Sequence, residues 1–159
     1  MKQHLYGGGG PQKNIKTLTL KTGANKMLYT HKDMEKIDNF SNPHTLNNDE
    51  RQLVLAYLQG MVNLWCAVCG DKPFSARDFI GGELYYWNGT PLMLAWHGRY
   101  NRYKKEHPNE THENLTEWTH QQSAIDIGHL LKRVLIENER HFIQLKGFGN
   151  AYQWLKDKE

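Results

Sequence analysis

The chain has 159 residues, 38% of them hydrophobic and 23% charged. That is enough for one domain whose core buries roughly 70% of the unfolded surface without a metal or disulfide staple, and it excludes a wholly disordered chain. A net charge of +3 and a pI near 8.8 permit a nucleic-acid partner without requiring one. The basic excess sits at the start: residues 1–46 carry seven Lys against three Asp/Glu, whereas residues 47–90 are net acidic and residues 91–159 are almost balanced.

The opening MKQHLYGGGGPQK lacks the apolar run of a signal peptide, and no membrane span is expected, so the chain reads as cytoplasmic with no membrane partner. In that compartment the Asn-X-Ser/Thr triplets at Asn39, Asn88, Asn109 and Asn114 are chance matches. Gly7 to Gly10 and Pro11 are expected to be mobile. They do not form a phosphate loop, because no Gly-Lys-Ser/Thr follows and no strand precedes them. Alternation from Ile15 to Leu20, a Thr22–Asn25 turn and Met27 to Tyr29 suggest a short hairpin within a basic N-terminal segment, residues 1–46. Lys2, Lys13, Lys16, Lys21 and Lys26 would let that segment lie along phosphates. A solubilising terminus has the same composition.

The first firm helix spans about Asn48 to Val68, capped by Asn47 with Glu50 three residues on. Leu53, Tyr57, Leu58, Met61, Trp65 and Val68 form its expected core stripe. Gly70-Asp71-Lys72-Pro73 breaks it. Ser75 and Asp78 then cap a short helix that Gly81-Gly82 closes. An Asn88-Gly89 turn leads to a third helix, Pro91 to about His107, with Leu92, Ala95, Trp96, Tyr100 and Tyr103 on its apolar face. PNETHENLT reads as a loop. A fourth helix starts between Thr116 and Gln121 and ends near Glu137, burying Ala124, Ile127, Leu131, Val134 and Leu135, with Gly128 admitting a close neighbour. RHFIQLKGFGNAYQWLK then alternates, turns through Gly147 to Asn150, and returns as a hairpin.

The fold class expected is therefore α+β, mainly helical, with a C-terminal β-hairpin. The segment SAIDIGHLLKRVLIENERHFIQLKGFGNAYQWL resembles the end of a winged helix-turn-helix domain, a recognition helix followed at once by its wing. The resemblance covers residues 49–159 in element order and about 120–155 in detail. It makes residues 47–159 a winged-helix-like domain with a helix inserted at about 91–107.

What the resemblance implies is binding to double-stranded DNA, as a regulator. Gln121, Gln122, Ser123, His129, Lys132 and Arg133 would lie in the major groove, and Arg140, Lys146 and Asn150 near phosphates. Asp126, Glu137 and Glu139 oppose this, since a duplex repels carboxylates. The competing reading is a protein-interaction module or homodimer that uses Tyr85, Tyr86, Trp87 and Trp96. Cys66 and Cys69 have the spacing of half a zinc site. The scattered His97, His107, His112 and His120 do not supply a second half, so no cofactor or metal is expected. Asp78 and Glu83 beside the aromatic run are the nearest approach to an acid–base pair, and no enzyme signature accompanies them.

Overall fold

A computed structural model describes residues 43–81, 86–145 and 151–156, together with the backbone of 26–27. The order is β1 (Lys26–Met27), α1 (Asn48–Cys69), β2 (Phe74–Ser75), α2 (Ala76–Ile80), α3 (Leu92–Glu106), α4 (His112–Glu137), β3 (His141–Leu145) and β4 (Ala151–Leu155). The class is α+β and mainly helical, with a small antiparallel sheet in the order β1-β3-β4-β2. Lys26 pairs with Gln144, and Phe74 pairs with Tyr152, so both edges of the hairpin carry a short strand from earlier in the chain. The rest of the expected N-terminal hairpin lies outside the described residues.

Helix α1 begins as its sequence dictates. Glu50 N–H donates to the Asn47 side chain and Asn47 N–H to the Glu50 carboxylate, each at 2.9 Å, satisfying amides that have no intrahelical partner. Asn47→Ala is expected to cost about 1 kcal/mol, read as a fall of about 4 °C in melting temperature; an unchanged midpoint would show that the box contributes nothing.

The buried stripe of α1 is Val54, Leu58, Val62 and Cys66, which shares only Leu58 with the one expected. Leu53 and Val68 are exposed, and Tyr57, Met61 and Trp65 flank the core. No Asp, Glu, Lys or Arg occurs between Arg51 and Asp71, so no charge in the sequence marks which side faces water. The same stretch makes α1 long and apolar enough, by length and composition, to cross a membrane, which corrects the expectation that no segment would be. Its inner face is part of the domain core.

The α1–α2 corner contains β2, which two residues of sequence could not announce. Phe74 is buried there among Trp65, Phe79, Phe142 and Tyr152. Beyond α2, Thr90 N–H donates to Trp87 O at 2.9 Å. That closes a turn in which Gly89 takes φ +78°, a conformation that favours glycine. Gly98 on α3 lies directly against the Thr45 backbone, where any β-carbon would collide with the carbonyl oxygen.

Helix α4 starts earlier than expected, at His112. Thr111 accepts from Asn114 N–H at 3.2 Å, and Leu115 and Thr119 extend the buried stripe, so most of the expected loop is the first turn of a helix.

Candidate functional site: the outer face of α4

Helix α4 lies between α3 and the α2 corner, and its two long sides differ. Toward α3 the contacts are specific. Arg99 grips Asp126 with both arms, Nε to Oδ2 at 2.5 Å and Nη2 to Oδ1 at 2.9 Å, the planar fork that suits a guanidinium and a carboxylate. The Gln122 amide adds a bond to Asp126 at 3.2 Å. The Asp126 side chain is 4% exposed and that of Arg99 14%. The hydrogen bonds that Arg99 donates to Asp126 hold its pKa above the ordinary value, so the cation, with the stability it carries, is lost only as pH rises through that elevated value, far above neutral.

Three ring contacts run parallel to this ion pair. Trp96 Nε1–H donates to His120 Nδ1 at 2.9 Å, the Tyr100 hydroxyl meets His112 Nδ1 at 2.7 Å, and Tyr103 packs edge-on against Trp118. Trp96 and Tyr100 stack with centroids 5.1 Å apart. Helix α3 thus holds one flank of α4.

The opposite flank is an open groove between α4 and α2. Arg77 and Ile80 form its α2 wall; Glu117, Gln121, Ile125, Gly128, His129 and Lys132 are on the α4 side. No neighbouring atom lies within 4 Å of the β-carbon position of Gly128, so this glycine deepens the groove and does not admit a packed helix, contrary to expectation. Glu113 and Glu117 make the N-terminal half acidic, while Lys132 and Arg77 balance them.

Comparison with protein-family models, curated proteins and solved structures finds no match. The residues themselves must carry the reading.

Of the expected groove readers, Gln121 is exposed and His129 and Lys132 are half-buried along the groove. Ser123 is wholly buried, its hydroxyl donating to Thr119 O at 2.6 Å, so it reads nothing. Gln122 is turned to Asp126, and Arg133 pairs with Glu137 at 3.0 Å. Arg140 is also engaged elsewhere: it bonds Asn63 at 2.9 Å and covers the Trp154 ring. Lys146 and Asn150 lie outside the described residues. Arg77 was missed, since nothing in a five-residue helix signals that it faces α4.

The aromatic surface does not form as expected. Trp87 is 4% exposed and its indole donates to Ile80 O at 2.9 Å, making it core. Trp96 belongs to the α3–α4 contact. Tyr86 is largely exposed, and Tyr85 and Glu83 lie outside the described residues. Asp78 is bound to Ser75 in a capping box. Cys66 is buried in α1, which pushes its thiol pKa up and disfavours the thiolate that binds metal or reacts. Among the described residues no group of three His, Cys, Asp or Glu side chains could hold a metal ion.

Proposed function

We propose that the region from about residue 47 is a winged-helix-like module that binds double-stranded DNA in the cytoplasm, as a regulator, with the outer face of α4 in the major groove. The observation that carries this reading is the position of Asp126. The carboxylate at the middle of the helix, which would repel a duplex if it pointed outward, is turned to α3 and neutralised by Arg99. The face left open presents Gln121, His129 and Lys132 beside Arg77. Pairing of β2, from between α1 and α2, with the second strand of the hairpin supports the wing assignment.

The test is titration of duplex DNA with the purified chain between about 50 and 200 mM salt. With about four phosphate contacts, affinity should fall on the order of 100-fold over that range. Arg77→Glu with Lys132→Glu should weaken binding to all sequences and flatten the salt slope by about one unit per lost contact. Arg133 is left intact because it does not line the groove. No binding at 50 mM salt would sink the DNA reading.

A protein-interaction module is the second reading. Ile125, half exposed at the centre of the groove, and the acidic Glu113 and Glu117 favour it. Under that reading the charge reversal leaves partner binding largely intact, whereas Ile125→Asp abolishes it.

A further inference from the structure

The outward side of α1 is apolar, and among the described residues no element packs against it. Leu53 is 57% exposed, Leu64 64% and Val68 74%, and Ala56, Gly60 and Ala67 are exposed between them. No charged residue interrupts the stretch from Gln52 to Gly70. Leu53, Leu64 and Val68 together make an exposed apolar strip, and contiguous apolar surface of this kind is where soluble domains meet partners. On one edge the strip is bounded by Asn63, which is held by Gln59 and Arg140; on the other it runs into the side of Met61 and Trp65.

The spacing of this face is symmetric about Gly60. Leu53 and Ala67 lie seven residues to either side, Ala56 and Leu64 four. In an antiparallel pair of α1 helices crossing at Gly60, Leu53 of one copy meets Ala67 of the other, and Ala56 meets Leu64. Leu53 and Leu64 therefore each face a small side chain, and Val68, eight residues from Gly60, faces Gln52. That is the self-complementarity a two-fold interface requires, since the same patch must serve both partners. Gly60, with nothing within 4 Å of its β-carbon position, permits close approach at the axis.

We propose that the occupant of this face is a second copy of the chain, docked antiparallel through α1 about a two-fold axis near Gly60. From Leu53 to Val68 the helix runs about 24 Å at 1.5 Å per residue. A seam of that length buries less than the ~800 Å² per partner of a standard interface, which places the dimer in the weak, transient class. The proposal is independent of the DNA reading, because α1 and the α4 groove use separate surfaces.

Sedimentation equilibrium of the full chain tests it. The expected result is a concentration-dependent rise from 18.6 kDa toward twice that mass. Gly60→Glu places two carboxylates against each other at the axis and should weaken association ~100-fold or more. It should leave the circular dichroism of the monomer unchanged, since Glu is a better helix former than Gly. Ala56→Lys and Leu64→Glu should each weaken self-association, and mixing the two should restore a heterodimer, because only an antiparallel pair sets Lys against Glu.

A chain that stays monomeric at 200 µM overturns the proposal. So does a monomer that binds phosphatidylcholine vesicles through α1, or a mixture that fails to restore association.

Discussion

Asp126→Ala is expected to lower the stability of the protein by about 3–5 kcal/mol, because it leaves the Arg99 guanidinium inside the α3–α4 contact without its bonded carboxylate and with only the weaker pull of Glu106. The pair is nearly buried and bidentate, and the only other described group bound to the carboxylate is the Gln122 amide. The cost is therefore that of a buried cation without its bonded carboxylate rather than of one surface ion pair, which is worth less than about 1 kcal/mol.

The charge logic gives two controls. Asp126→Asn retains an acceptor but not the charge, and should recover only part of the loss. Arg99→Met with Asp126→Leu removes both charges and should recover most of it, since apolar replacement of a buried pair is often neutral or stabilising. Urea unfolding midpoints read all three. A loss under about 1 kcal/mol for Asp126→Ala would mean that water screens the pair. The outcome also bears on function, since without this clamp the α4 flank that faces α3 would be free to expose its polar groups beside the open groove.

The second large effect is expected at Phe74. Its ring, 2% exposed, lies 4.9 Å from Phe79, 5.8 Å from Trp65, 5.9 Å from Tyr152 and 6.0 Å from Phe142, centroid to centroid. One side chain thus joins α1, α2 and both hairpin strands. Phe74→Ala should cost about 3–5 kcal/mol through lost burial and an uncollapsed cavity, whereas Phe74→Leu should cost about 1.5 kcal/mol or less. Because β2 pairs only through Phe74 and Ser75 with β4, hydrogen exchange at Ala151–Leu155 should accelerate more than exchange in the middle of α4. Equal acceleration everywhere would show that the hairpin has no independent attachment.

Much of the secondary structure was legible locally. Asn47 with Glu50 and Ser75 with Asp78 are short-range capping patterns; the first forms both reciprocal bonds, and in the second Ser75 N–H donates to the Asp78 carboxylate at 2.6 Å. The hairpin strands around Gly147 to Asn150 alternate in the sequence and pair His141 with Leu155 through Leu145 with Ala151. The buried side of α4 followed from Ile127, Leu131, Val134 and Leu135, whose helical spacing survives any packing partner. These signals act within a few residues, where backbone geometry alone sets which side chains meet.

The sequence does not show which polar and aromatic side chains the fold turns inward. Asp126 was read as an exposed carboxylate because Arg99, 27 residues away on another helix, has no sequence relation to it. Ser123, which sits among polar neighbours, is buried through its bond to Thr119. Trp87 looked like an interface ring until Ile80 supplied a carbonyl for its indole. The rotation of α1 was undetermined because a helix with no charge from Gln52 to Gly70 offers no polar side to place in water.

By itself, then, the sequence determined the extent of α1, its cap and the strands of the hairpin, which local backbone chemistry specifies, while the start of α4 at His112 was not among them. Only the tertiary structure decided which face of α4 is open and which face of α1 is left apolar in water. Burial and charge neutralisation depend on which residues meet across the fold, and chain order does not record those meetings.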